Sequence, residues 1–247
     1  MKISIITVSY NSEKTIKDTF ESVRSQRRNG FDLEYIHIDG LSNDATMSIS
    51  REYDDLITKR ISEKDSGIYN AMNKGILMAT GDVIGFLNSD DTFASSSILH
   101  SIYSLFNSNE ELEIVYGDIN YVDYSGQIKR KWNTGKRRSF SKGWHPAHPG
   151  FYAKKIVFEQ HGDFDESLKI AADFDLMLRF LEVAKAKSIY LNRVCVNMKL
   201  GGESNRNIKN ILSANIQIIQ SFRKYSIKPQ LFYTYRRLFR KLFQSWK

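Results

Sequence analysis

Apolar and polar positions switch between two periods along the first half of the chain. Residues 2–10, KISIITVSY, form an apolar, β-branched run, the pattern of a buried strand. In residues 11–26, Ile16, Phe20 and Val23 recur at helical spacing, with Asn11 or Ser12 placed to cap that helix. A strand is predicted over 33–40, and a helix over 42–53 with Ser42 or Asn43 near its start. A shorter strand over 57–63 precedes a helix over 67–79, with Ile68, Met72, Ile76 and Ala79 on one face. Next comes the strand 82–88, which ends in Asn88, Ser89, Asp90 and Asp91. Strands alternating with helices argue for a parallel sheet covered on both faces. Such sheets take ligands outside the carboxyl ends of their strands, where Asp39 and the NSDD cluster fall.

The second half has a different rhythm. Residues 112–123 and 126–133 read as a hairpin around Tyr124, Ser125 and Gly126. Residues 142–155, which hold two of the three prolines, read as a loop. A helix is predicted over 170–186 with Ala171, Phe174, Leu178, Leu181 and Val183 roughly inward, then a strand over 188–202 and a helix over 206–224. No repeat, low-complexity tract or linker interrupts the chain. The one plausible boundary lies near Gly201–Gly202, dividing a domain over 1–202 from an extension over 203–247.

Composition narrows the classes. The 247 residues are 41% hydrophobic and 26% charged, enough to bury an ordinary core in one large domain or one domain with an appendage. Cys195 is the only cysteine, so an intrachain disulfide and a cysteine-based zinc site are excluded. The N-terminal apolar run is too short for a signal peptide, and no run approaches a membrane span. The net charge of +8 is uneven. Ten basic residues and no acid follow Glu203, leaving −2 for residues 1–203. A basic tail implies an anionic partner.

Three acidic positions are candidates for chemistry. Asp39 is either an acid in a turn before Gly40 or an acceptor for a nucleotide's base or sugar. Asp90 and Asp91 form either a turn or part of the oxygen shell of a hard cation completed by phosphates. Two carboxylates about 4 Å apart repel by roughly 4 kcal/mol at an effective dielectric near 20, and a cation reverses that. Asp173 is either a helix N-terminal charge favoured by the dipole or a general base presented at a helix start. Asp175 points elsewhere, and a pairing with Arg179 one turn on is expected. His145 and His148 read as structural or solvent-exposed. P-loop, dinucleotide, HExxH and GxSxG motifs are absent.

Taken in order, these segments resemble the family-2 glycosyltransferases. ISIITVSYNSEKTI is similar to their first strand and helix, and IHIDGLSNDAT to their VDDGSTDGT segment. DSGIYNAMNKGILMATGDVIGFLNSDD resembles the stretch ending in the DxD element, and GDFDESLKIAADFDLMLR the segment supplying the base. The wording is most like enzymes that build bacterial O-antigen, colanic acid and capsule repeats. The resemblance spans roughly residues 2–202, and it implies a nucleotide-sugar-binding half over 1–110 and an acceptor-binding half over 111–202. It implies a GT-A fold: an α/β, Rossmann-like, mostly parallel nucleotide-binding sheet flanked by helices, here with a C-terminal helical basic tail.

It also implies roles. Asp39 would meet the uracil or ribose of a UDP-sugar, with Thr7 and Ser9 lining the nucleotide site and Tyr10 near the base. Asp65 would lie by the nucleotide or sugar, with Asn88 and Ser89 completing the donor site. Asp90 would be the main ligand of a divalent metal, Mn2+ or Mg2+, with Asp91 beside it. Asp173 would be the base of an inverting, in-line displacement. The sequence departs from the pattern at Asn88, the first acid of DxD, at Ala172 before the base, and at Met72, where many relatives have arginine. An inactive nucleotide-sugar-binding relative and a nucleotidyltransferase are rival readings.

The segment QLFYTYRRLFRKLFQSWK, residues 230–247, lines up Leu231, Tyr235, Leu238, Leu242 and Trp246 opposite Arg236, Arg237, Arg240 and Lys241. Aromatic and basic faces of this kind suit a helix lying in an anionic membrane interface. A terminal helix packed on the body or on a partner chain is the plainer reading. Peripheral attachment to the inner face of a bacterial plasma membrane fits a cytoplasmic enzyme whose acceptor is a saccharide on a polyprenyl diphosphate. Basic and aromatic residues also bind single-stranded nucleic acid. The near-neutral body and the acidic strand ends argue against it, so no nucleic acid partner is expected.

Overall fold

The computed structural model describes residues 1–200, 208–231 and 233. The alternation foreseen in the first half is present. Strands β1 (Lys2–Ser9), β2 (Asp32–Asp39), β3 (Lys59–Ser62) and β4 (Val83–Phe86) pair in parallel in the order β3-β2-β1-β4. Helices α1 (Ile16–Arg24), α2 (Thr46–Arg51) and α3 (Ile68–Met78) connect them. β1 and β4 are buried along nearly their whole length because the sheet is covered on both faces. One face packs Ile3, Ile5, Ile16, Phe20 and Leu87 together, the other Ile6, Val8, Met72, Ile76 and Phe86.

The helix starts differ from expectation. α1 begins at Ile16, where Ser12 offers its carbonyl to the Thr15 and Ile16 N–H groups and not its side chain. On α3, Ile68 is exposed and Tyr69 turns inward, because the buried face must fill the space beside Phe164.

The second half closes the sheet. Short β5 (Thr92–Phe93) and helix α4 (Ile98–Ser108) follow the acidic turn. The predicted hairpin forms as β6 (Ile114–Val122) and β7 (Ile128–Trp132), antiparallel. The segment expected to be a loop instead contains strand β8 (Phe151–Lys154), antiparallel between β4 and β6, followed by helix α5 (Lys155–His161). Four residues preceded by two prolines carry too little periodicity to announce a strand. Position decides: Gly85 lets the Tyr152 ring lie across β4, and a Cβ there would sit 2.4 Å from it. β9 (Ser188–Lys199) pairs in parallel with β6, so the order continues β4-β8-β6-β9-β5.

The helix expected over 170–186 is α6 (Ala172–Leu178) and then a π-helical turn, Arg179–Val183, which leaves Val183 exposed. The wider turn also defeats the Asp175–Arg179 pairing. Asp175 Oδ2 accepts from the Tyr225 hydroxyl at 3.1 Å and faces Lys224 Nζ at 3.8 Å, whereas Arg179 donates to the Asp163 carbonyl. Asp175 therefore anchors α7 (Ile208–Lys224), the last helix, whose Ala214, Ile218 and Phe222 are buried. Among the described residues no helix is long and apolar enough to cross a membrane. Most of the amphipathic segment predicted over 230–247 lies outside the described residues.

Candidate functional site

β1, β2 and β4 run in one direction, so their carboxyl ends share one edge of the sheet. β6 and β9 run the same way, because β8 is antiparallel to both β4 and β6. All of the predicted site residues gather along or beside this edge, in three groups.

The first group surrounds Asp39. Its carboxylate is fully buried and accepts four hydrogen bonds: from Ser9 Oγ and Ser42 Oγ at Oδ1, and from the Ser42 N–H and Ser62 Oγ at Oδ2. Burial alone would raise its pKa, but these donors outweigh it and the pKa is lowered. His37 Nε2 lies 2.8 Å from Ser9 Oγ, and its Nδ1 lies 2.8 Å from Ser50 Oγ. Since Ser9 gives its proton to Asp39 and Ser50 accepts from Arg60 Nε, a neutral His37 with its proton on Nε2 satisfies every partner. Burial agrees, pushing His37 down to about 4. Thr7 is buried beneath the edge, donating to the Leu87 carbonyl at 2.7 Å. Tyr10 is 63% exposed above it. A Cβ on Gly40 would meet Asp65 at 3.0 Å and Tyr10 at 3.5 Å, so these two border one bare stretch of backbone. Asp65 is held by Lys74 Nζ at 2.6 Å.

The second group is the acidic turn. The Asp91 N–H closes it onto the Asn88 carbonyl at 3.0 Å. The two carboxylates differ. Asp91 is fully buried, with the Lys199 N–H on Oδ1 at 3.2 Å and the Asn88 amide on Oδ2 at 3.3 Å. Burial and the neighbouring Asp90 push its pKa well above the usual range. Asp90 is half-buried, and burial raises its pKa as well. Asn88 Oδ1 is buried and has no donor among the described residues. Ser89 Oγ lies 2.8 Å from Ser12 Oγ. Among the described residues no three acids, histidines or cysteines surround one point. The donor set is nonetheless hard oxygen, one carboxylate beside one orphaned amide oxygen, which fits a Mg2+- or Mn2+-type cation completed by its ligand.

The third group holds Asp173, in the first turn of α6. Its Oδ1 accepts the Phe174 N–H at 2.8 Å and lies 3.4 Å from the Tyr69 hydroxyl. Tyr69 gives its stronger bond, 2.8 Å, to the Ile170 carbonyl. Oδ2 has no partner among the described residues. Of the two expected roles His148 takes the structural one: it is buried and packs its ring against Phe86 and Phe164 at 5.2 and 5.5 Å. Its Nε2 has no partner among the described residues. Burial lowers its pKa, and the charge of nearby Asp173 opposes this. Phe86 is the last residue of β4, so this ring cluster links the strand that runs into the acidic turn to the loop that leads into α6, the helix bearing Asp173. Tyr69 carries no signal of its own in the sequence, and His148 reads there only as structural or solvent-exposed. The run of aromatics and histidine carried a packing signal, but nothing local said what it packed around.

A doubly covered, mostly parallel α/β sheet with its buried acids gathered at the carboxyl edge of the strands marks the class of fold. The chain belongs to Glycosyl transferase family 2, whose profile matches residues 4–163. It is a glycosyltransferase. An uncharacterized glycosyltransferase of Mycobacterium tuberculosis is 29% identical over 195 residues, 76% of this chain and 71% of the relative. S. aureus TarS 1-349 in complex with UDP-GlcNAc superposes with a TM-score of 0.66 at 18% identity, over 96% of this chain and 69% of that one. The chain spans 43% of a longer TarS structure. A mannosyltransferase from Pyrobaculum calidifontis in complex with GDP-Man and Mn2+ also gives 0.66 at 18% identity, over 90% and 63%. These likenesses establish the fold, GT-A.

Proposed function

We propose that this glycosyltransferase moves a hexose or N-acetylhexosamine from a UDP-sugar to a lipid-linked saccharide, with inversion, in bacterial surface polysaccharide synthesis. The observation that carries the reading is Asn88 Oδ1. It is a buried acceptor with no donor, beside an Asp90 carboxylate that burial destabilises. Two oxygens short of positive charge, at the carboxyl end of a core strand, suit a divalent cation shared with a diphosphate. Asp90 and Asn88 would hold that cation, and Asp91 would anchor the turn to β9. Bound there, the cation would neutralise charge on the departing diphosphate.

The chain's own residues supply the rest. Tyr10 and Asp65 flank the nucleotide at Gly40. The four-donor clamp on Asp39 holds the β1 and β2 ends rigid, and a nucleotide contact to Asp39 requires one of its serines to let go. With Oδ1 engaged, Asp173 presents Oδ2 to the acceptor hydroxyl. The hydroxyl proton passes to Oδ2 as its oxygen bonds the anomeric carbon. The bond from that carbon to the diphosphate oxygen breaks, and UDP leaves. The basic tail would hold the cytoplasmic enzyme at the inner membrane face, where a polyprenyl diphosphate acceptor lies.

The test is calorimetric titration with UDP, with and without Mn2+, on the wild type and Asp90→Ala. Metal-dependent binding lost in the variant supports the reading. Metal-independent binding, or none, removes the cation from the acidic turn.

A further inference from the structure

We propose that Arg130, on its aromatic platform, forms a phosphoryl-binding subsite on the acceptor side of the cleft. This rests on the transferase reading above but adds a site outside the donor and base groups. Between Asp123 and Glu159 the chain has nine lysines and arginines and no acid. Most of these side chains are exposed or held by the chain itself. Lys129 pairs with Asp123 at 3.0 Å, and Arg137 donates to the Ala186 and Leu181 carbonyls.

Arg130 is the exception. Its guanidinium carbon stands 4.2 Å from the centre of the Tyr121 ring and 5.8 Å from that of Trp132. Those rings are stacked, 6.4 Å apart and 13° from parallel. Nε and Nη2 are buried and have no acceptor among the described residues. Among the described residues no carboxylate pairs with it. Ring faces return only part of what desolvating a cation costs. Two other partly buried charges have partners: Glu34 has Lys59, and Arg60 has Asp54. A guanidinium left short of acceptors on a half-open edge is a site for an anion brought by a ligand, and its fork matches phosphate geometry.

The placement fits the acceptor. Arg130 is opposite Tyr121 on β6, and Tyr121 is opposite Met198 on β9. The next residue, Lys199, holds Asp91 through its N–H. Arg130 thus lies at the ligand edge, two strands or about 10 Å across from the strand that anchors the acidic turn. A row of rings joins it to the base: Trp132 to His145 at 5.0 Å, and His145 to Phe174, the neighbour of Asp173, at 5.4 Å. A phosphoryl group at Arg130 would fix the far end of an acceptor whose hydroxyl reaches Asp173.

The test is titration of the full chain with inorganic pyrophosphate in EDTA, comparing wild type, Arg130→Gln and Lys131→Gln. Lys131 is exposed and next in sequence, and controls for general charge. UDP with Mn2+ is titrated into the same proteins. Metal-free pyrophosphate binding that weakens at least tenfold in Arg130→Gln, is unchanged in Lys131→Gln, and leaves UDP binding intact supports the subsite. Equal binding by all three proteins, or none, overturns it. If UDP fails to bind any of them while the pyrophosphate difference holds, the donor reading falls and the subsite stands. Flotation with phosphatidylcholine vesicles, with and without phosphatidate, separates the sources of phosphate. Loss of phosphatidate-dependent flotation in Arg130→Gln with unchanged pyrophosphate binding assigns Arg130 to the membrane surface and overturns the acceptor subsite.

Discussion

Asn73 and Phe164, 91 residues apart, clasp each other in both directions. The Phe164 N–H donates to Asn73 Oδ1 at 3.0 Å, and Asn73 Nδ2 donates to the Phe164 carbonyl at 3.0 Å. The same amide reaches Glu166 Oε1 at 2.8 Å, and Asn70 holds Oε2 at 3.0 Å. Helix α3 thereby sets the loop that leads into the helix bearing Asp173. Asn73→Ala removes three hydrogen bonds and strands backbone groups of a half-buried loop. A loss of about 2–4 kcal/mol is expected, read as a lowered urea midpoint.

Asp173→Asn keeps the shape of the side chain and removes its basicity. Transfer is expected to fall by at least about a hundredfold while UDP affinity stays within a factor of two. Near-normal turnover in a screen of UDP-sugars would take the base role from Asp173.

Asn88→Ala removes the orphaned oxygen, and Asn88→Asp replaces it with a charged one. If Asn88 shares the cation with Asp90, the alanine variant weakens Mn2+-dependent UDP binding about tenfold, whereas the aspartate variant keeps or tightens it. Calorimetry on the pair reads the order directly. The reverse order would remove Asn88 from the cation site.

Acid is expected to loosen the fold in two stages. His37, held down to about 4 against an ordinary 6.5, is neutral in the folded chain. Below pH 6.5 the unfolded chain takes a proton there that the folded chain refuses. Stability is therefore lost as pH falls from 6.5 toward 4, by at most about 3 kcal/mol. Glu34 follows. Burial pushes its carboxyl up, but bonds from Lys59, Ser4 and Thr80 bring it down to about 2, so its contribution is full above 4.5 and is lost between 4.5 and 2. Urea midpoints from pH 7 to 3 should decline through both windows, and His37→Gln should flatten the first.

The sequence by itself determined the elements whose periodicity is local. β1, β2, the hairpin β6–β7 and β9 follow from β-branched runs, and the ligand edge follows from their alternation with helices. It also placed acids at strand ends, because a core strand that stops in NSDD has little else to become there. Tertiary structure decided what depends on partners far along the chain. β8 is a strand because β4 and β6 leave a gap that Gly85 opens to Tyr152. Asp175 answers to Tyr225 and not to Arg179, since a π-helical turn re-aims the one and α7 delivers the other. Asp90 and Asp91, adjacent and alike in sequence, part company because only Asp91 meets the Lys199 N–H, 108 residues away. Burial and hydrogen-bond supply are sums over neighbours in space, and no local window of sequence contains them.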